Sequence, residues 1–218
     1  METTARGDVP KTLQTIAYIS IPNSDDLEFL LWDLQDVITA YAQLSGTALP
    51  HPVDLKANDA GSVADGIVLA IEDVADDKTL TAIEQALERF GGTGTRVYAA
   101  IRAAQQGTEQ ARETAVRLHK ACERHNQLWC GGVAICAGSG IAALRRSPRM
   151  GLLRRPFSEA MDKLVGAVRM GCSVEHAQKL SGAATGGVDT DGMVRATPAL
   201  PTPIWHAVMR HLAEHSNC

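Results

Sequence analysis

Ser139 stands between two glycines in Cys136-Ala137-Gly138-Ser139-Gly140-Ile141-Ala142, and a serine on a strand-to-helix turn can serve as a nucleophile. The nucleophile elbow needs G-x-S-x-G, which this run lacks, so a tight turn that lets a ligand approach the backbone is the better reading. A hydrolase would also need a histidine and an acid brought to Ser139 by the fold. His211-Leu212-Ala213-Glu214-His215 has H-x-x-E-H spacing, which sets two histidines on one helical face, but no later carboxylate completes a zinc site. No C-x-x-C pair occurs either, so no metal is expected.

The strongest local charge is Arg145, Arg146, Arg149, Arg154 and Arg155. Such a cluster suits the 2′-phosphate of NADPH, an acidic partner, or a solvated face with a few ion pairs, and the last is the default. Nucleic acid is disfavoured, because the net charge is −4 and no aromatic residues interleave with the arginines. The charge is polarised: residues 1–90 carry 16 acidic against 5 basic residues, and residues 91–218 carry 9 against 16. The five cysteines are widely spread. Cys130 and Cys136, six residues apart on one extended run, would be roughly 20 Å apart, beyond disulfide reach. They read as packing residues of a reducing compartment, together with Cys122 and Cys172.

The elements that position these groups follow from periodicity. Val97 to Ile101 is a short apolar run, Glu109 to Asn126 has helical spacing, and Leu128 to Ala137 is apolar again before the glycine turn. That is a βαβ unit with parallel strands, so the loops 103–107 and 138–140 after its strands are the places to seek a ligand. Thr15 to Ile21 reads as a first strand, followed by turn residues Pro22-Asn23-Ser24 and a helix from Asp25 to Ser45 that Gly46 stops. Acidic Asp25, Asp26 and Glu28 suit the positive end of that helix. A further strand is expected near Val53 to Leu55. Asp65 to Ile71 reads as a strand buried on both faces, Thr79 to Phe90 as a helix, and Gly91 to Gly94 as its stop. Beyond Gly140, Phe157 to Met170 is amphipathic, Ser181 to Pro203 reads as a long loop or covering arm, and Ile204 to Glu214 as a terminal helix. Apolar residues at 45% allow a full core, aromatics at 4% leave it to Ala, Val, Leu and Ile, and no run approaches the ~20 residues of a membrane span. No segment of signal-peptide type precedes residue 12, so a cytoplasmic protein without membrane partners is expected.

With these elements placed, the chain resembles the flavodoxin-like NADPH-dependent FMN reductase family. The resemblance lies in DGIVLAIEDVADD, TRVYAAIRAA and LWCGGVAICAGSG between Asp65 and Gly140, and more loosely in PFSEAMDKLVGAVRMG and PTPIWHAVMRHLAEH. It implies a flavodoxin-like three-layer α/β sandwich with a parallel sheet of order 2-1-3-4-5, a leader over residues 1–14, the domain over 15–172, and a C-terminal loop and helix over 173–218. It also implies FMN and NAD(P)H as cofactors of an oxidoreductase that passes hydride through flavin to a small acceptor. The flavin supplies that chemistry, so no catalytic side chain is named.

Carried onto this chain, the family's flavin-contacting loops fall on Pro22, Asn23 and Ser24 after the first strand, Asp73 and Val74 after the third, Ala103, Ala104 and Gln105 after the fourth, and Gly138, Ser139 and Gly140 after the fifth. The residues depart from the family pattern at two of these loops. Asp25 and Asp26 stand where a dianionic phosphate belongs, and at about 4 Å in an effective dielectric of ~20 each like-charge contact costs about 4 kcal/mol. Glu72-Asp73-Val74-Ala75-Asp76-Asp77 replaces the apolar, aromatic segment that packs on the isoalloxazine. The alternative is therefore a flavodoxin-like protein without flavin, a non-catalytic binding or assembly subunit that forms a homodimer or pairs with a related flavodoxin-like subunit. Carboxylates filling the phosphate position would favour it, and a phosphate-sized void there would favour the flavoenzyme.

Overall fold

The computed structural model describes residues 9–55, 63–73, 76–181, 187–189 and 191–215. In chain order the elements are β1 (Thr15–Ile21), α1 (Asp25–Ser45), β2 (His51–Pro52), β3 (Gly66–Glu72), α2 (Asp77–Phe90), β4 (Arg96–Ala103), α3 (Thr108–Arg124), β5 (Leu128–Cys136), a 3₁₀ turn (Ile141–Arg146), α4 (Arg155–Met170), α5 (Val174–Leu180), β6 (Met193–Ala196) and α6 (Thr202–His215). The strands form one parallel sheet of order β2-β1-β3-β4-β5-β6, which is the flavodoxin-like order with one strand added beyond β5. Its order reverses between β1 and β3, so the chain has a topological switch point at the carboxyl ends of those strands.

Two apolar layers hold the sheet. Leu27, Leu30 and Leu34 of α1 pack with Phe157, Leu164 and Val168 of α4 and with Trp205 of α6 on one face. On the other, Ile83 and Leu87 of α2 and Ala115 and Leu118 of α3 cover Ile67, Leu69 and Ile101. The central strands are buried on both faces, which is why DGIVLAI and RVYAAI read as continuous apolar runs instead of alternating ones. The helix α1 ends where expected, because Gly46 takes the left-handed conformation at φ 64°. No helix among the described residues is long and apolar enough to cross a membrane.

β5 contains a bulge. Val97 pairs with Trp129 but Ala99 with Gly132, so Cys130 and Gly131 oppose one residue of β4. Glycine is required at both positions that follow: a Cβ on Gly131, at φ 88°, would lie 2.3 Å from the Gly192 carbonyl oxygen, and one on Gly132 would lie 2.1 Å from that of Ala99. The first approach is on the side where β6 docks on β5, with Gly132 to Ile135 paired to Met193 to Ala196, and the second is against β4. This strand lies inside the stretch expected to be a long loop or arm. At four residues, flanked by a turn in which Gly192 N–H donates to Asp189, it is too short to show a period. The strand expected at Val53–Leu55 is instead the two-residue β2, with Val53 N–H still donating to the Ile16 carbonyl at 2.9 Å. Pro50 and Pro52 limit its ladder and suit it to an edge.

Within the expected leader, residues 1–8 lie outside the described residues. Residues 9–14 are strapped down: Lys11 N–H donates to the Met170 and Gly171 carbonyls, Leu13 is buried, and the Val9 carbonyl accepts from Arg96. Asp65 anchors this strap, its carboxylate accepting from Lys11 Nζ at 2.9 Å and from the Gln14 and Thr15 N–H groups at 3.0 and 3.3 Å. Burial alone would raise the Asp65 carboxyl, but these donors together outweigh it and hold it below the usual carboxylate value. A carboxyl depressed in the folded state adds stability above its unfolded pKa and loses it as pH falls through the folded one. Asp65→Asn is thus expected to lower stability by about 1–2 kcal/mol at neutral pH and by less near pH 3. Urea unfolding at the two pH values checks this, and an equal loss at both would refute it.

The arginine cluster is mostly structural. Arg154 is buried, donates to the Arg145 and Ser147 carbonyls, and pairs with buried Asp33 of α1, as does Arg149, which also reaches Asp162 at 2.7 Å. Arg145 lies over the Trp32 ring at 4.4 Å, and Arg155 pairs with Glu159 one helical turn on. Together they clamp the loop between the 3₁₀ turn and α4 onto α1. Cys122, Cys130, Cys136 and Cys172 are buried, and burial pushes the Cys122 and Cys130 thiols up to about 12.

Candidate functional site

The switch point is closed by charge. At the start of α1, Asp26 Oδ2 accepts from Gly140 N–H at 2.7 Å and Oδ1 from Ala142 N–H at 2.9 Å. The carboxylate thereby serves as the anion at the amino end of the 3₁₀ turn that follows β5. Arg102, at the end of β4, places Nη2 2.6 Å from Glu72 Oε1 and Nε 3.8 Å from Asp26 Oδ2. Glu72 and Arg102 are register partners across β3 and β4, so the strand pairing itself brings them together. These three side chains are only 15%, 13% and 30% exposed for Arg102, Asp26 and Glu72, so they fill the crevice instead of rimming it. Ser24, the residue before α1, makes no capping bond, and its hydroxyl is buried without a partner among the described residues.

Asp73 works inward as well. Its Oδ2 accepts from Ala104 N–H at 2.9 Å, its carbonyl accepts from Thr114 Oγ1 at 2.7 Å, and its N–H donates to the Arg102 carbonyl. A Cβ on Gly107 would lie 2.7 Å from that Oδ2, so Gly107 lets the loop 103–107 fold over the carboxylate. The loop is shaped by Asp73 before any ligand arrives.

Beside this closed crevice, a cleft of about 650 Å³ opens over the carboxyl ends of β4 and β5. One side is formed by Ala104, Gln105, Gln106 and the run Ala137 to Gly140, and the other by Trp205, His206, Met209, Arg210 and Ala213 of α6. Trp205 fixes α6 in place: its Nε1 donates to the Ala137 carbonyl at 2.9 Å, and its ring meets Phe157 edge to face at 5.7 Å. Gly138 and Gly140 have φ of 79° and 86°, so the turn around Ser139 depends on glycine on both sides.

Of the residues expected from sequence to meet a ligand, Ala104, Gln105, Gly138, Ser139 and Gly140 line this one cleft. Ala103 is buried at the end of β4. Pro22 and Asn23 are exposed on the loop after β1, Ser24 and Asp73 hold the positions given above, and none of these four borders the cleft. Val74 lies outside the described residues. Sequence reasoning named Glu72 only within a charged run and did not single out Arg102, Trp205, His206 or Arg210. Arg102 had a signal, as a charge that interrupts the apolar run Val97 to Ala103, and Trp205/Met209 and His206/Arg210 are i,i+4 pairs on a helix already expected. Ser139 and His206 share the cleft, but no carboxylate lines it, so a hydrolytic triad is not assembled among the described residues. Nor do three or more His, Cys, Asp or Glu residues gather there or elsewhere among the described residues to hold a metal ion. The chain matches no protein-family model and no curated protein, so these strand-end contacts are the ground on which its function is argued.

Proposed function

We propose that this chain is a flavodoxin-like protein that does not hold FMN at its switch point and works as a non-catalytic binding or assembly subunit. One observation supports the reading: Asp26, at the start of α1 where the resemblance would put the flavin phosphate, is bonded to Gly140 and Ala142 and backed by Arg102 and Glu72. A phosphate entering there would have to displace the two N–H bonds of Asp26 and then face Asp25, Asp26 and Glu28 in the first turn of α1. At about 4 kcal/mol for each like-charge contact, two such contacts are enough to cancel the ~8 kcal/mol of a micromolar complex. The residues present do not fit FMN at this position, so no hydride step is derived through it.

An assembly role is supported by the edge of the sheet. Tyr41, Leu44 and Leu49, near β2 and the end of α1, are 42%, 85% and 43% exposed, beside a second cleft bordered by Tyr18, Gln35 and Ile38. A homodimer or a pair with a related flavodoxin-like subunit in the cytoplasm belongs to this reading.

The purified protein is expected to be colourless and to leave FMN fluorescence unquenched up to about 100 μM. Replacing both Asp25 and Asp26 by Ser is expected to bring detectable FMN binding before it brings any turnover. A yellow wild-type protein, or micromolar FMN binding by it, would overturn the reading in favour of an NAD(P)H-dependent FMN oxidoreductase of the kind its sequence resembles.

A further inference from the structure

We infer that the cleft between the β4 and β5 loops and α6 is a binding site for a small molecule with a flat apolar body and one anionic group. The inference rests on the reading of the chain as a binding protein and names the class of ligand. At about 650 Å³ the cleft lies within the ordinary range of small-molecule sites. It is displaced from the switch point toward β5, and the Arg102 contacts to Asp26 and Glu72 close the crevice on its β1 and β3 side.

Three features set the chemistry. First, the floor is made of small residues, and a Cβ built on Gly138 or Gly140 would meet nothing within 4 Å, so open space lies against the backbone of the turn. A thin, flat body fits such a floor better than a branched one. Second, Trp205 and Met209 are buried behind the α6 wall, and the indole N–H is already engaged by the Ala137 carbonyl, so neither gives the cleft a hydrogen-bonding group, and Ala104, Ala137 and Ala213 line it with small apolar side chains. Third, the ionisable groups lining the cleft are Arg210 and His206, one turn apart on α6, and no carboxylate lines it. Neither side chain has an ion-pair partner among the described residues, although the protein as a whole is negative. Arg210, exposed on α6, presents a planar fork suited to a carboxylate, sulfonate or phosphate beside a lining of small apolar and uncharged polar residues.

Two fluorescent probes test this: anilinonaphthalene sulfonate, which has the flat body and the anion, and neutral phenylnaphthylamine, which has only the body. Saturable one-to-one binding of the sulfonate is expected, with energy transfer from tryptophan. Arg210→Glu is expected to weaken the sulfonate at least about tenfold while leaving the neutral probe nearly unchanged. Ala213→Trp, at an exposed position of α6 that borders the cleft, is expected to weaken both. Both substitutions are on the surface, and equal thermal midpoints confirm that the fold is kept. No saturable sulfonate binding, or binding indifferent to both substitutions, overturns the inference and leaves the reading of a closed switch point standing. FMN binding that Arg210→Glu abolishes does the reverse: it places a flat anion in this cleft, and overturns the reading that the chain has lost flavin.

Discussion

Asp33→Ala is expected to destabilise the fold by about 3–5 kcal/mol, the largest loss from any single charge in the molecule. Asp33 and Arg154 each have side chains only 4% exposed, and Arg149 shares the same carboxylate oxygen. Desolvating these groups was unfavourable, and their mutual attraction together with the Arg145 and Ser147 carbonyls offsets that penalty. Removing the carboxylate leaves the desolvation and deletes the offset, so a guanidinium between Phe29 and Trp32, at 5.2 and 5.6 Å from their rings, stays buried without an anion. Ring contacts of that kind return ~1–2 kcal/mol and do not compensate. The thermal midpoint should fall by about 10 °C and the urea midpoint should fall with little change in slope. The double variant Asp33→Leu with Arg154→Met should recover at least half of the loss, because it removes both charges and keeps the volume. A loss below about 1 kcal/mol in Asp33→Ala would show that water reaches the pair and that the loop 147–154 is held by other contacts.

The same cluster shows what could and could not be read from the chain. Its five arginines were conspicuous, and ion pairing was the expected default, yet burial of Arg154 against a carboxylate 121 residues earlier is a property of packing that no local pattern encodes. The parallel core was legible because strands buried on both faces leave unbroken apolar runs, and because glycine or acidic residues mark where the helices begin and end. Both β6 and α5 were not, since four and seven residues carry no more than two periods or turns of any pattern. At the site, the glycines of 138–140 pointed to a loop that lines the cleft, and the two aspartates at the head of α1 were legible as charges that oppose a phosphate. What remained hidden was that Asp26 turns away from a ligand to bind the backbone of Gly140 and Ala142, more than a hundred residues later. The second wall of the cleft was hidden for the same reason: α6 was expected as a helix, but its contact with β5 runs through one indole and one carbonyl far apart in sequence.

That contact makes Trp205 the second position of large effect. Its side chain is 1% exposed, its N–H is bonded to Ala137 and its ring packs on Phe157, so Trp205→Ala removes both the hydrogen bond and most of the carbon surface that holds α6. Truncating a buried aromatic of this size costs about 3–5 kcal/mol when the rest of the structure stays in place. Here α6 has a less unfavourable alternative: Met209 is its other buried anchor, and a helix that packs outside the strand ladder can detach without opening the sheet. The expected result is therefore local. Amide exchange over residues 202–215 should rise by orders of magnitude while β4 and β5 keep their protection, and global stability should fall by less than the full truncation figure. Because α6 supplies one wall of the cleft, both fluorescent probes should lose saturable binding in this variant. Trp205→Phe separates the two parts of the anchor: it keeps the packing on Phe157, leaves the Ala137 carbonyl without its donor, and should cost about 1 kcal/mol with the cleft still formed. Protection of 202–215 that survives Trp205→Ala would mean that α6 is held by its other contacts and that the indole is not its anchor. A loss of protection spread evenly over β4 and β5 would mean that α6 belongs to the folding core of the sheet and is not a separable wall of the site.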